Sequence, residues 1–239
     1  MSAWLEEWNS RQDVYIGDRH RDRHFRAVAG DIVRLLPQGA RRVLDYGPGD
    51  ALSATRIAAA CEEVVLCEAA ETIRARISDR FANDPAIRVI SPGQLADLAA
   101  GSVDLVVVHS VVQYLDADEL DALLREVHRL LGADGLLVVG DLVPPGTGLV
   151  SDTAELLRFA LREGFLGEAV PALVRLAFSP YARRRRRLGL TRIDEAEMTA
   201  RARRAGLSGH RVRPNIGNNQ RRWTFVARRA AASSVRPSR

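Results

Sequence analysis

The chain has 239 residues, of which 46% are apolar and 27% charged, as in an ordinary globular α/β domain with room for an insertion. Two cysteines exclude a disulfide framework, and the 35 basic residues are all arginine, which excludes a P-loop and a pyridoxal Schiff base. The opening W-L-E-E-W is unlike an export signal, and no apolar run approaches the roughly 20 residues of a membrane span. We therefore expect a cytoplasmic protein.

The formal net charge of +5 is distributed unevenly along the chain. Between Tyr181 and Arg229, 15 arginines stand against three acids, and the tail adds two more arginines, so residues 1–180 carry −9. Any anionic partner is expected to meet the C-terminal third. The Arg183–Arg187 run is typical of a solvated face, and a contact with RNA, an acidic lipid surface or a phosphorylated small molecule stays open as the alternative.

Hydrophobic periodicity predicts two N-terminal helices, over 3–14 and 18–36, followed by strands that alternate with helices. The predicted strands cover 42–46, 64–68, 87–90, 103–109 and 136–142, and the predicted helices cover 51–60, 70–81, 93–99 and 117–131. Strands joined through helices form a parallel sheet that is covered on both faces. The chain therefore predicts a doubly wound α/β fold.

The pattern changes after Pro144-Pro145. Residues 151–178 show helical spacing without strands and predict a helical cap. A helix near 194–205 and two strands, at 207–213 and 221–228, then close the chain as a hairpin. The last residues predict a disordered tail.

The most informative segment is V-L-D-Y-G-P-G-D-A-L, at residues 43–52, where the first strand turns into its helix. Gly47 and Gly49 permit a tight turn and close approach of a ligand to the backbone, next to the free N–H groups of a helix start. A dinucleotide fingerprint requires Gly or Ala where this chain has Leu52. A nicotinamide or flavin site is therefore disfavoured.

Carboxylates surround this glycine loop. Asp45 precedes it and Asp50 follows it, and two such charges would repel a diphosphate but suit an ammonium group. Glu68 ends the second strand, 19 residues beyond Gly49, where its carboxylate can accept both ribose hydroxyls. The ligand so described is an adenosine without phosphates that carries a cationic amino end, and S-adenosyl-L-methionine fits that description.

On these residues the sequence resembles the class I S-adenosylmethionine-dependent methyltransferases over about residues 40–143. Asp45, Gly47 and Gly49 match the first motif of that family, Ala51 replaces its third glycine, and Glu68 falls on its ribose-binding acid. The resemblance implies that Gln94 and Leu95 lie near the adenine.

The resemblance also implies a mostly parallel, seven-stranded, Rossmann-like sheet with an antiparallel last strand. The implied division is an N-terminal helical lid at 1–39, a cofactor-binding core at 40–145, a cap inserted after strand five at 146–193, a helix and hairpin at 194–230, and a tail at 231–239.

Several residues are candidates for contact with cofactor or acceptor. His109 ends the fourth strand on the ligand side of the sheet and is a candidate for catalysis and for cofactor contact; Tyr15 and His20 are further catalytic candidates. The candidate acceptor-binding residues are His24, Gln113, Asn215 and Asn219. Structural roles stay open as the alternative for each, and no metal site is predicted.

The sequence thus predicts a methyltransferase that acts on O, N or C of a small, apolar or aromatic acceptor. One alternative is an RNA methyltransferase that uses the arginine-rich C-terminal third, although no aromatic residues interleave with those arginines. The other is a non-catalytic protein that binds S-adenosylmethionine. The oligomeric state is left open, with a homodimer among the alternatives.

Overall fold

The computed structural model describes residues 4–9, 17–147 and 189–231, together with 155, 157, 158, 160–162, 164, 167 and 187. The helices are α1 (Leu5–Asn9), α2 (Asp18–Leu35), α3 (Ala54–Ala58), α4 (Glu71–Phe81), α5 (Ala117–Leu130) and α6 (Glu195–Arg204). The strands are β1 (Arg42–Tyr46), β2 (Glu63–Cys67), β3 (Ile87–Ile90), β4 (Val103–His109), β5 (Leu131–Leu142), β6 (Leu207–Val212) and β7 (Trp223–Arg229). Two 3₁₀ helices cover Pro92–Asp97 and Val112–Tyr114.

The seven strands form one sheet in the order β3-β2-β1-β4-β5-β7-β6. Strands β1 to β5 are parallel, while β7 runs antiparallel to both β5 and β6. This confirms the predicted doubly wound sheet with its antiparallel last strand. Because chain order reverses between β1 and β4, the carboxyl ends of these two strands flank the crevice where ligands bind in such sheets.

Both faces of the sheet are covered, which explains the continuous apolar strands. Alternate residues of β1 point to opposite faces, so Val43 packs with α2, α3 and α4 while Leu44 packs with α5 and α6. The hairpin strands extend the second layer, with Trp223 and Phe225 fully buried beneath α6. The two apolar layers thus hold the strands in position and with them the strand ends that border the crevice.

Several boundaries differ from the predicted ones. Strand β5 begins at Leu131, directly after α5, because Leu131 pairs with Val103 before the ladder shifts register. The segment predicted as a helix over 93–99 is a 3₁₀ helix, and α3 is shorter than predicted.

The predicted cap falls almost wholly outside the described residues, as do the tail beyond position 231 and most of the Arg183–Arg187 run. None of the helices in the described ranges is long and apolar enough to cross a membrane.

Candidate active site

The loop after β1 contains two glycines, of which Gly47 is tightly packed and Gly49 borders open space. Gly47 has φ +72° and donates its N–H to the carbonyl of Cys67 at 2.8 Å. A Cβ at this position would lie 2.5 Å from Cγ2 of Val111. Gly49 has φ +58°, and a Cβ there would meet nothing within 4 Å. The backbone of Gly49 therefore has room above it for a ligand, whereas Gly47 serves packing. Ala51, in the place of the third glycine, also takes a left-handed φ of 47°.

Glu68 connects the end of β2 to this loop. Its carboxylate accepts an N–H from Ala70 at 2.8 Å and from Gly49 at 3.1 Å, and the residue is 6% exposed. Burial raises the pKa of Glu68, while these backbone donors oppose the rise. The carboxylate is thus held by the backbone at the rim of the crevice, at the position where the sequence predicts a ribose.

Asp45 lies at the end of β1, on the α2 side of the sheet. Removal from water, reinforced by the charge of Glu68, raises the pKa of Asp45 to about 7. Among the described residues it has no ion-pair partner and accepts no hydrogen bond. A carboxylate that is removed from water and has no partner attracts a positively charged ligand. Binding of such a ligand would lower the pKa of Asp45 again.

Asp50, the other acid that flanks the loop, is oriented differently. Its carboxylate pairs with Arg76 of α4 at 2.8 Å and lies 3.8 Å from Arg21 of α2. The side chain therefore contributes to the junction of these two helices, and its charge is already balanced. Of the two acids that flank the loop, only Asp45 keeps a carboxylate that is not already paired with an arginine among the described residues and can attract an ammonium group.

The two residues predicted near the adenine follow β3. The side-chain oxygen of Gln94 accepts from the N–H and the hydroxyl of Ser91, at 2.9 and 3.0 Å, and so caps the 3₁₀ helix. Leu95 is buried, and its carbonyl accepts a hydrogen bond from Arg129. Both residues stand at the correct edge of the sheet, and their contact with a cofactor stays a prediction.

Three histidines form a column between α2 and the end of β4. The rings of His20 and His24 lie 6.4 Å apart, and those of His24 and His109 lie 5.8 Å apart. Nδ1 of His24 lies 3.2 Å from the side-chain oxygen of Asn218, in the loop before β7. The sequence predicts His20 and His24 on one helix face and His109 at a strand end, and the fold brings the three together.

His109 is the innermost ring of the column. Both of its nitrogens are buried and have no hydrogen-bond partner within the described part of the chain. Burial lowers the pKa of His109 to about 4, against the opposing charge of Asp141. Burial likewise lowers the pKa of His20 to about 4 and that of His24. An orphaned, neutral imidazole at the end of a strand can donate to, or accept from, a bound acceptor.

A buried polar network lies beside His109. The carboxylate of Asp141 accepts from the hydroxyl of Ser110 at 2.6 Å and from Arg222 at 2.7 Å. The same guanidinium nitrogen of Arg222 also donates to the side chain of Gln113. Ser110 and Asp141 have φ of 59° and 64°, a conformation that non-glycine residues hold only where their surroundings enforce it.

Asn215 closes this network from the C-terminal hairpin. Its side-chain oxygen accepts from the backbone N–H of Asp141 at 3.1 Å and from the hydroxyl of Thr224 at 2.8 Å. Its amide nitrogen donates to the carbonyl of Asn219 at 2.8 Å. Gln113 and Asn215 are therefore both engaged in buried contacts beside the histidines, while Asn219 supports them through its backbone.

Other residues at this edge were not identified from the sequence. Ser110, Asp141 and Arg222 lie in or beside predicted strands but were not candidate site residues, and only the fold brings the three together. Trp8 of α1 and Trp4, directly before that helix, place their rings 5.3 and 4.9 Å from the ring of Tyr114. Their W-L-E-E-W spacing was a visible signal of aromatic residues on one helix face. Tyr15 lies outside the described residues.

Comparison with known proteins agrees with this geometry. Residues 44–139, from β1 to β5, match a family described as a methyltransferase domain. A malonyl-[acyl-carrier protein] O-methyltransferase of Laribacter hongkongensis (strain HLHK9) is 35% identical over 126 residues, which cover 48% of this chain and 40% of the relative. The chain thus spans less than half of the length of that relative.

Solved structures share the fold at low identity. DhpI in complex with SAH aligns with a TM-score of 0.58 and 14% identity, over 95% of this chain and 96% of its own. The 1,6-didemethyltoxoflavin-N1-methyltransferase of Burkholderia thailandensis, with its substrate and S-adenosylhomocysteine bound, aligns with a TM-score of 0.55 and 16% identity, over 90% of this chain and 82% of its own. The matched segment, residues 44–139, carries the glycine loop and Glu68, so this part of the chain is similar to a methyltransferase domain, and its sheet has the fold of structures solved with S-adenosylhomocysteine bound.

Proposed function

We propose that the chain transfers a methyl group from S-adenosylmethionine to a small acceptor that binds between α2 and the ends of β4 and β5. The observation that carries this proposal is the juxtaposition of two unlike halves at one sheet edge. One half offers an open glycine loop and two carboxylates, and the other offers an orphaned imidazole.

The cofactor half has the donors and acceptors that S-adenosylmethionine requires. Asp45 would face the ammonium group of the cofactor, and Glu68 would face its ribose hydroxyls. The uncovered backbone of Gly49 would let the cofactor approach the loop closely. When bound, this cofactor supplies a methyl group already activated by a positively charged sulfur. The residues of the chain then have to orient the acceptor, a task that can contribute roughly 7–11 kcal/mol in well-oriented systems.

A small acceptor is supported by the way the site is enclosed. The helix α1 bridges the start of α4, where Asn9 contacts Thr72, and the Trp4–Trp8–Tyr114 cluster, so it crosses the open edge of the crevice. Of the two proteins named above, the Burkholderia thailandensis enzyme binds a small molecule, 1,6-didemethyltoxoflavin, whereas the Laribacter hongkongensis relative is named for a malonyl group carried on acyl carrier protein. The aromatic rings of the Trp4–Trp8–Tyr114 cluster suit an apolar or aromatic acceptor, and the transfer can end on O, N or C.

The RNA alternative depends on the arginines of the C-terminal third, and many of these are engaged within the fold. Arg201 pairs with Asp121 and Glu197, and Arg211 lies over the ring of Trp223. Arg228 and Arg229 donate to backbone carbonyls of the α5–β5 region. This engagement supports a structural use of the charge. Filter binding of RNA across a salt series tests it, because phosphate-driven binding weakens steeply with salt.

Isothermal titration with S-adenosylhomocysteine tests the cofactor half of the proposal. Glu68→Ala is expected to lose about 1–3 kcal/mol of binding free energy, the range for hydrogen bonds to a charged group. Gln94→Ala is a milder comparison, because Gln94 is engaged in capping Ser91. No heat at millimolar ligand with the unmodified chain would contradict the proposal. A screen of small hydroxyl, amine and carboxylate acceptors for methyl incorporation separates an enzyme from a protein that only binds the cofactor.

A further inference from the structure

The environment of His109 contains one acid whose position is unusually well determined. Asp141 directly follows Gly140, and a Cβ on Gly140 would lie 2.8 Å from Nδ1 of His109. The histidine ring therefore rests against the β5 backbone at the residue before Asp141. Asp141 is also the acid whose charge bears on both His24 and His109.

Contacts from three parts of the chain hold Asp141, two on its carboxylate and one on its backbone N–H. Ser110 donates its hydroxyl from the end of β4, Arg222 donates from the start of β7, and Asn215 accepts the backbone N–H of Asp141. Ser110 and Asp141 both keep a left-handed backbone. Strain of this kind persists where surrounding contacts enforce it, and it is found preferentially at functional sites.

We propose that Asp141 is a positioning residue for methyl transfer, and that Arg222 sets how much of its negative charge reaches the neighbouring histidines. The inference rests on the proposed function. The acceptor it implies is protic, a hydroxyl or an amine. The proton that such an acceptor loses goes to an orphaned ring nitrogen of His109. The electron pair left on the acceptor atom forms the bond to the methyl carbon as the methyl–sulfur bond breaks, and the electron pair of that bond goes to the sulfur, which leaves as a neutral thioether. Asp141 then faces the resulting imidazolium.

The surrounding charges are consistent with this division of roles. From α2, His24 lies against His109 and His20 lies behind His24, so a charge on either would oppose an imidazolium. Asp31 of α2 accepts the N–H of Gly217, whose Cβ position would lie 3.3 Å from Cε1 of His109. Arg222, directly before β7, adds positive charge and thereby opposes the effect of Asp141. Asp141 is thus the group that favours the charged imidazole, and Arg222 weakens it.

The test follows the protonation of His109 by NMR in the substrate-free protein, with His109→Asn identifying its resonances. Arg222→Gln is expected to raise the His109 pKa by about 1 pH unit, the lower end for an uncovered opposite charge. Asp141→Asn is expected to lower it. The double variant should return towards the unmodified protein, because the two effects oppose each other.

Matched variants separate charge from structure. Arg222→Lys keeps the positive charge, so the His109 pKa should stay near its value in the unmodified protein. This variant also keeps the test possible if Arg222→Gln does not fold. Arg221→Gln removes a neighbouring arginine that pairs with Glu155, and it should have no effect on His109. In turnover, Asp141→Asn should lower kcat by about 100-fold, the lower end of the range for general acid–base catalysis, while affinity for S-adenosylhomocysteine is kept.

Two results would overturn the inference. One is a His109 pKa that moves in the same direction, or not at all, in Arg222→Gln and Asp141→Asn. The other is an equal movement in Arg221→Gln. Neither depends on cofactor binding, so a failure of this inference is distinguishable from a failure of the proposed function, which would appear as absent binding of S-adenosylhomocysteine.

Discussion

The two halves of the site are built by different means. In the cofactor half, Glu68 is fixed by backbone N–H groups only 2 and 19 residues away. In the acceptor half, side chain meets side chain across much longer separations: 31 residues from Ser110 to Asp141 and 81 from Asp141 to Arg222. The first half is local and depends on the backbone. The second is tertiary and depends on burial, so the two should respond differently to substitution.

The largest expected effect is on the acceptor half. Arg222→Gln leaves the Asp141 carboxylate buried without its charge partner, and breaking such a pair typically costs about 3–5 kcal/mol. Both side chains are well buried, with 8% and 13% exposed. Urea unfolding should show this loss of stability. At a temperature where the variant is folded, its affinity for S-adenosylhomocysteine should stay within about twofold of the unmodified chain, a difference of about 0.4 kcal/mol.

The matched control for that variant is Arg221→Gln, which removes a guanidinium that is 48% exposed and pairs with Glu155. Glu155 is only 10% exposed, but it keeps its pair with Arg158 in this variant, so unfolding should change little. A loss of cofactor affinity in Arg222→Gln as large as its loss of stability would mean that the two halves are energetically coupled.

The second expected effect divides the cofactor half into packing and binding. Gly47→Ala forces a left-handed alanine and a contact with Val111, for which about 2–4 kcal/mol of unfolding free energy is expected. Gly49→Ala has the same backbone penalty but no contact within 4 Å, so about 1–2 kcal/mol is expected.

Binding should rank these two variants in the opposite order. The Cβ of Gly49→Ala enters the open space above the loop, so calorimetry should show a larger loss of S-adenosylhomocysteine affinity than the backbone cost predicts. Equal affinity in Gly49→Ala and the unmodified chain would show that the ligand does not approach that part of the loop.

This contrast explains how far the sequence predicts the fold. Strand alternation and the C-terminal hairpin predict all seven strands, because both patterns are local and period-dependent. The start of β5 was placed five residues late, since its first pair, Val103 with Leu131, depends on a neighbouring strand rather than on any feature of its own segment. Boundaries set by tertiary pairing leave no local signal.

The same reasoning applies to the candidate site. Gly47, Gly49 and Glu68 were predicted because a turn and a strand end fix them. Asp50 carries the same charge as Asp45 in the sequence, and only the positions of Arg21 and Arg76 in space distinguish the two. Arg222 was missed for the corresponding reason, because nothing near residue 222 indicates that Asp141 lies beside it.

The third expected effect is a pH dependence of cofactor binding. The pKa of Asp45 is raised to about 7, so the side chain is largely neutral below pH 7 and attracts an ammonium group weakly. Affinity for S-adenosylhomocysteine should fall as pH drops below 7, by at most about tenfold per pH unit for one group, and level off above about pH 8. Asp45→Asn should remove this dependence, and a pH profile unchanged in that variant would assign it to another group.

Asp45 should affect the stability of the substrate-free protein with the opposite pH dependence, so that its contribution falls as pH rises. Between the unfolded pKa of 3.8 and the folded pKa of about 7, the folded state keeps a proton that the unfolded state has released. The contribution of Asp45 to the free energy of unfolding is therefore greatest below pH 4 and declines as pH rises to 7. Comparison of urea unfolding in the unmodified chain and in Asp45→Asn isolates this contribution.

The smallest expected effect concerns the acid on the other side of the loop. Asp50→Asn weakens a pair with Arg76, whose side chain is 47% exposed, so a stability loss of less than about 1 kcal/mol is expected. Because the Asp50 charge is already balanced by two arginines, cofactor affinity should change by less than about twofold, or 0.4 kcal/mol. Asp45→Asn should lose about tenfold or more above pH 7, since it removes the carboxylate that has no arginine partner in the described structure. If calorimetry gave equal losses for the two variants, both carboxylates would act on the cofactor as a pair. The ion pairs of Asp50 would then have to open when the cofactor binds.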